Sequence, residues 1–262
     1  MIVSTDRENN REKENTMLRP LTDEQINTMM DVATQAFADH GFVGANVNKI
    51  ARSAGVSIGV LYKYYETKEG LFIACVKRCL EFLDEVFERT FSIAMKHQTK
   101  NSSVNDGSDT GNVVHQEFIS KDELMALISN LIREEQIAAK NHPEYFRLYH
   151  QITVSKGPYP EGIAKMIEED AANLYCSFMA LAKKTAGTRQ DMEPAVFAFF
   201  FDNLMMMLHF AYTCDYYDKR FKIYCNNASL ETDPSHSIAE NDDYIHEQMM
   251  KFIEGALFFK EQ

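Results

Sequence analysis

Between Ser57 and Lys68 the chain reads S-I-G-V-L-Y-K-Y-Y-E-T-K, and its side chains suit one kind of chemistry. The hydroxyls of Tyr62 and Tyr64 and the ammonium groups of Lys63 and Lys68 can reach phosphate oxygens. Ser57, Ile58, Gly59 and Val60 stand before them at a helix start. Gly59 allows a backbone to come close, and Ile58 and Val60 offer apolar contact of the sort a thymine methyl accepts. Other reactive residues are scattered. Cys75 and Cys79 stand at i and i+4, half of a metal or redox pair, but no third ligand is near in sequence and two core thiols are expected. His142 and His150 are too far apart for a helical metal pair. The sequence has no glycine-rich phosphate loop, no nucleophile elbow and no H-E-x-x-H. The expectation is therefore no enzyme, no metal and no cofactor.

The elements that must position these residues are short helices. Thr22-Asp23-Glu24-Gln25 fits a capping box, and Ile26, Met29, Met30, Ala33, Ala36 and Phe37 follow at helical spacing, up to Gly41. Asn46 caps a second helix with Val47, Ile50 and Ala51 inward. Gly55-Val56-Ser57 forms a tight turn, and Ser57 caps a third helix, Ile58 to Tyr65, with Val60 and Leu61 as buried anchors. Tyr65 reads as a packing residue. Thr67 caps a fourth, long helix reaching about His97. Two helices joined by such a turn have the layout of a helix-turn-helix, whose second helix enters the DNA major groove.

Composition bounds the rest. The chain has 262 residues, 45% of them apolar, with only 6 Pro and 11 Gly, so a sizeable and mainly helical core is expected. The formal net charge of −12 excludes a protein that coats nucleic acid in general. From Gly41 to Leu80, however, six basic residues face two acidic ones, a local +4 against −16 elsewhere. Five cysteines show no disulfide framework, and the polar start carries no secretory signal. The apolar run Ala195–Thr213 is long enough for a membrane span, but Asp202, Asn203 and His209 interrupt it, so a buried helix of a cytoplasmic protein with no membrane partner is expected.

Taken together, A-F-A-D-H-G-F, I-A-R-S-A-G-V-S-I-G-V-L-Y-K-Y-Y and T-K-E-G-L-F resemble the N-terminal domain of the TetR (tetracycline-repressor-like) family of transcriptional regulators, over roughly residues 22 to 75. The resemblance implies that Ser57, Ile58, Gly59 and Val60 face the groove, that Tyr62, Lys63 and Tyr64 line its sides, and that Lys68, Asn46 and Asn48 meet phosphates. One departure stands out. Many members carry Thr or Ser where this chain has Val47, so a phosphate contact there falls to Asn46 or Asn48. The recognition helix also lacks Arg, Gln and Asn, the usual bidentate base readers, which shifts readout toward Lys63 and DNA shape.

The fold expected is all-α. A disordered tail (1–20) precedes a three-helix DNA-binding domain (21–66), which a long helix joins to a larger helical domain (67–262) for ligand binding and dimerisation. Residues 99–117 and 226–237 read as polar loops. Further helices are expected over 121–141, 143–154, 162–185, 194–217 and 238–259, with a break at 157–160. Phe197, Phe201, Leu204, Met205, Leu208 and Tyr212, with Met249, Phe252, Ile253, Ala256 and Leu257, would form an intersubunit four-helix bundle; an ordinary intramolecular core is the competing reading. Met125, Ile128, Ile132, Tyr145, Phe146, Tyr149, Tyr175, Phe178, Met179 and Met206 are candidates for an apolar effector pocket, with Asn203 and His209 as polar handles, although plain core packing suits most of them. The function implied is a homodimeric repressor on a palindromic operator, released by a partly apolar small molecule. The alternative is a helical binding or interaction protein whose DNA-binding head is vestigial.

Overall fold

The computed structural model describes residues 20–101, 120–154, 162–185, 187–227 and 241–258. Among them run ten helices: α1 (Asp23–Gly44), α2 (Val47–Ser53), α3 (Ile58–Tyr65), α4 (Lys68–Asn101), α5 (Lys121–Asn141), α6 (Pro143–Val154), α7 (Ile163–Ala182), α8 (Pro194–Thr213), α9 (Asp215–Asn227) and α10 (Asp242–Leu257). The class is all-α; the one β-bridge among the described residues pairs Thr188 with Phe258. The expected tail up to residue 19, residues 102–117 of the expected loop 99–117, the break at 157–160 and residues 228–237 lie outside the described residues, while residues 99–101 continue α4.

Local signals explain most helix ends. Thr22 and Gln25 form the full capping box at α1, and Ser120 and Glu123 form a second at α5. Asn46 accepts the Lys49 N–H at 3.2 Å and Ser57 the Val60 N–H at 3.2 Å, each satisfying a donor the helix leaves open. Gly41, at φ 67°, kinks the end of α1, and Gly55, at φ 68°, makes the turn between α2 and α3. A side chain at Gly55 has room but would strain the backbone.

Three expectations need correction. The helix expected over 194–217 ends at Thr213, because Cys214 is extended (φ −132°, ψ 106°) and its N–H closes the last turn on the Phe210 carbonyl. A separate helix, α9, then runs through Asn227, where a loop was expected to begin at 226. The last helix starts at Asp242 rather than 238, because Asn241 is non-helical and its side chain caps Tyr244 N–H at 3.1 Å.

The described residues fall into two compact units. The first holds α1 to α3, α4 up to Cys79 and α6 from Arg147. Its interior includes Met29, Ala33, Phe37, Ile50, Ala51, Leu61, Leu71, Phe72 and Cys75, all at most 2% exposed. Phe37 meets Phe72 edge-on at a centroid distance of 5.0 Å. Arg78 pairs with Asp31 at 2.7 Å and Arg147 with Asp39 at 3.4 Å. Burial pushes the Cys75 thiol up to about 12, so at neutral pH it is a protonated core group rather than a nucleophile.

The second unit holds the rest of α4, α5, the start of α6 and α7 to α10. Its main apolar cluster joins Phe87 of α4, Leu124 to Ile132 of α5, Tyr175, Phe178 and Met179 of α7, Phe197 to Ala211 of α8 and Ile245 to Leu257 of α10. A smaller apolar cluster of Val86, Ala138, Ala139 and Phe146 stands apart from it, and one buried ionisable pair lies against its Phe146 ring. Glu135 Oε2 of α5 lies 2.7 Å from His209 Nε2 of α8, and the Phe146 ring stands 4.5 Å from the imidazole. A polar seam joins α5 to α10: Gln136 donates to the Asp242 carbonyl at 3.0 Å, Lys140 pairs with its carboxylate at 2.6 Å, and Ser129 Oγ lies 2.9 Å from His246 Nε2. Burial, then the charge of Arg133, hold the His246 pKa below its usual value.

Removing one partner of a buried pair leaves the other without its match, at a cost of about 3–5 kcal/mol, whereas replacing both can be nearly neutral. We expect Glu135→Leu to destabilise the protein by about 3 kcal/mol in urea unfolding, and Glu135→Leu/His209→Leu to recover most of that loss. A single variant costing under about 1 kcal/mol would mean that the pair contributes little.

Candidate nucleic-acid interface and helical body

The recognition helix α3 has a narrow inner side. Leu61 is fully buried, and Ile58 and Tyr65, three residues before and four after it, are half-buried on the same stripe. The opposite side is open: Gly59, Tyr62, Lys63 and Tyr64 are exposed, with Tyr62 at 39% and Tyr64 at 37%. Ser57 at the helix start is exposed and Val60 half-buried. On α2, Asn46, Asn48, Lys49 and Arg52 are exposed. The open sides of α2 and α3 thus carry three cations, two tyrosine hydroxyls and two asparagine amides, groups that hydrogen-bond phosphate.

Three expected contact residues already have partners within the chain. The Tyr64 hydroxyl accepts the Leu21 N–H at 2.8 Å. Lys68 donates to the Val43 carbonyl at 3.1 Å, with its ammonium 5.2 Å from the centre of the Phe42 ring. Asn46 uses its carbonyl oxygen as a helix cap. Lys63 and Tyr62 are therefore the side chains of α3 best placed to meet DNA. Tyr65 is a packing residue, its hydroxyl donating to Met30 Sδ at 3.0 Å.

In the body, Ile128, Ile132, Tyr175, Phe178 and Met179 come together in one buried cluster with Met125 packed against it. Tyr145 and Phe146 are also buried, Met206 is half-buried, and Tyr149 belongs to the other compact unit. Asn203 is no pocket handle: it is exposed, and its amide donates to the Phe199 carbonyl of its own helix at 2.7 Å. His209 is buried, and its partner is Glu135, a residue absent from the expected set. The signal was present in α5, where Leu131, Ile132, Ala138 and Ala139 mark the inner stripe on which Glu135 falls. A shallow, solvent-open cleft lies elsewhere, lined by Met179, Lys183, Met192, Pro194, Phe197, Ala256 and Leu257. Of the expected pocket residues only Met179 borders it.

The expected dimer face lies largely inside its own chain. Phe197, Phe201, Met205, Leu208, Met249, Ile253 and Leu257 are each under 9% exposed there. Leu204 and Ala256 pack against the same core. Tyr212 donates to Asp242 at 2.6 Å, and burial with that contact raises its pKa. Of the eleven, Phe252 is exposed, at 68%; beside it in composition stand Val196, Phe199 and Phe200 of α8, the latter two at 63% and 60%. A helix apolar on every side gives periodicity nothing by which to choose its inner face. α8 is long and apolar enough to cross a membrane, yet its inner face is part of the core cluster.

The chain matches the family model described as bacterial regulatory proteins, tetR family, over residues 29–75. It is 33% identical over 61 residues to the fatty acid metabolism regulator protein of Bacillus subtilis (strain 168), covering 23% of this chain and 31% of that relative. It is 28% identical over 69 residues to the HTH-type transcriptional regulator HbdR of Aromatoleum sp. (strain CIB), covering 26% and 30%. The matched region thus spans under a third of the curated relatives. Solved structures resemble it over more of its length. A TetR family transcription regulator from Marinobacter aquaeolei VT8 superposes with TM-score 0.53 at 22% identity, covering 90% of this chain and 96% of that one. Another from Chloroflexus aurantiacus J-10-FL gives 0.54 at 13% identity, with 90% and 94% covered. These are likenesses of fold, and they extend from the head through the helical body. Residues 29–75 thus match the N-terminal domain of bacterial regulatory proteins of the tetR family, and beyond them the likeness is one of fold.

Proposed function

We propose that the protein is a cytoplasmic, sequence-specific transcriptional regulator, a homodimeric repressor that binds a palindromic operator and leaves it when a small molecule occupies the helical body. The observation that carries this reading is the open face of α2 and α3, where Tyr62, Lys63, Asn48, Lys49 and Arg52 project from a motif whose inner stripe is buried. A helix of eight residues reads few base pairs, so a second half-site one helical turn away (~34–36 Å) supplies the remaining affinity and specificity. Val196, Phe199, Phe200 and Phe252 are the apolar surface we assign to the partner subunit. Exposed aromatics of this size are what an interface core covers.

For the effector we propose a mostly apolar molecule with one hydrogen-bonding group. Support comes from the leucine and isoleucine of α5 and the aromatic and methionine side chains of α7 and α8 that meet in the body, and from the Glu135–His209 pair, a polar group buried between α5 and α8. The name of the Bacillus subtilis relative, a fatty acid metabolism regulator, agrees with an apolar effector. The ligand acts only through a difference in affinity between operator-competent and incompetent conformations.

Two measurements test this. In gel shifts over a salt series, we expect wild type to prefer its selected duplex over a scrambled one, and Lys63→Ala to lower the salt slope by about 1. Equal affinity for every duplex would sink sequence-specific regulation. In analytical ultracentrifugation we expect a dimer that Phe199→Asp/Phe252→Asp converts to a folded monomer. A double variant that stays dimeric would move the interface elsewhere.

A further inference from the structure

The exit from the recognition helix is unusual. Glu66 has φ 59° and ψ −50°, and the Thr67 N–H donates to the Tyr65 carbonyl at 2.6 Å. That is a γ-turn of the positive-φ kind, which is rare and strained for a residue with a side chain. Among the described residues, Glu66 is the one non-glycine with positive φ. The turn aims the Tyr65 carbonyl at the first turn of α4. A Cβ on Gly70 would stand 2.1 Å from that oxygen, and the obstacle is backbone, which cannot step aside as a side-chain tip can. Gly70 has ordinary helical geometry, so its own conformation does not call for glycine. A glycine inside a helix weakens it relative to alanine. Here that weakness coincides with the close approach of another strand of backbone.

The corner is held by further bonds. Gly70 N–H donates to Thr67 Oγ1 at 3.0 Å, Leu71 N–H to the Thr67 carbonyl at 3.1 Å, and Glu66 N–H to the Tyr62 carbonyl at 2.8 Å. The last turn of α3 is thereby fixed at three points: Leu61 in the core, the Tyr65 hydroxyl on Met30, and the Tyr65 carbonyl over Gly70. Tyr62 and Lys63 sit on that same turn. Its angle to α4 decides where they project.

We propose that Gly70 is a positioning residue for DNA recognition: with the γ-turn at Glu66, it sets the angle between α3 and α4 and so the place at which Tyr62 and Lys63 meet the groove. This rests on the DNA-binding reading above. An alanine at 70 pushes the Tyr65 carbonyl away, breaks the γ-turn and swings the last turn of α3, while Lys49, Arg52 and Lys63 keep their charge. Recognition of one sequence should then fall, and general attraction to DNA should not.

The test begins with duplexes selected by the wild-type protein from a randomised pool. Fluorescence anisotropy then compares wild type, Gly70→Ala and Glu66→Gly on the selected duplex and on a scrambled one, with thermal melts alongside. We expect Gly70→Ala to lose at least tenfold in affinity for the selected duplex, with under twofold change on the scrambled one and no change in salt slope. Glu66→Gly should keep wild-type discrimination and melt roughly 2–4 °C higher, since glycine relieves the strained turn. Selected-duplex affinity within twofold of wild type for Gly70→Ala, or equal loss on both duplexes, would overturn the proposal. Should Gly70→Ala not fold, Glu66→Gly/Gly70→Ala, whose glycine at 66 lets the carbonyl turn aside, is judged by the same thresholds. A wild type that selects no duplex is a separate outcome, which removes the DNA-binding reading and this proposal with it.

Discussion

An eight-residue helix does not hold itself together in water, because nucleation is costly and too few bonds follow to offset it. α3 is such a helix, and everything proposed for the head depends on its being held from outside. Leu61 does most of this. It is fully buried, and burying a leucine contributes roughly 1.5–3 kcal/mol. Ser57 closes the start of the helix and the Tyr65–Gly70 corner closes its end. What remains on the outside is a rigid rim of Gly59, Tyr62, Lys63 and Tyr64. Rigidity matters because a side chain that must be ordered on binding loses part of its contact energy to entropy. A weak reader, without arginine or glutamine, benefits most from being held in place beforehand.

The body follows a different logic. α8 is apolar on every side, and its chain buries one side in a core shared with α5, α7 and α10. The other side leaves Phe199 and Phe200 in water. Exposed aromatics of this kind mark interaction surfaces, which is why the proposed partner subunit is placed there. Between α5 and α8 lies one buried, hydrogen-bonded ionisable pair, Glu135 with His209. Burying it gives up hydration, and hydrophobic residues of similar volume would fill the space at least as well.

Much of this was legible in the residues. The caps at Thr22, Asn46, Ser57 and Ser120 and the glycines at 41 and 55 are local chemistry, which is why the ends of the first three helices could be read directly. The inner stripe of α3 was legible at Leu61, which is fully buried, whereas Val60, expected beside it, is only half-buried. What could not be read depended on contacts distant in sequence. Periodicity could not choose the inner side of α8, so Phe197 and Phe201 were assigned outward and Phe199 was passed over. Cys214 carries no breaker signal, yet the chain turns extended there. Glu135 falls on the apolar stripe of α5, but its partner His209 comes from α8, distant in sequence. Tyr64 and Lys68 looked free because nothing local reveals Leu21 N–H or the Val43 carbonyl as their partners.

The central claim is that α3 is held as part of one cooperative unit with α1 and the start of α4. Amide hydrogen exchange measures this directly. The account predicts that the amides of residues 61–65 exchange with the same opening free energy as those of residues 30–38 and 72–76, and that Leu61→Ala lowers all three together by about 2–5 kcal/mol. Amides of α3 that exchange freely while α1 stays protected would contradict it.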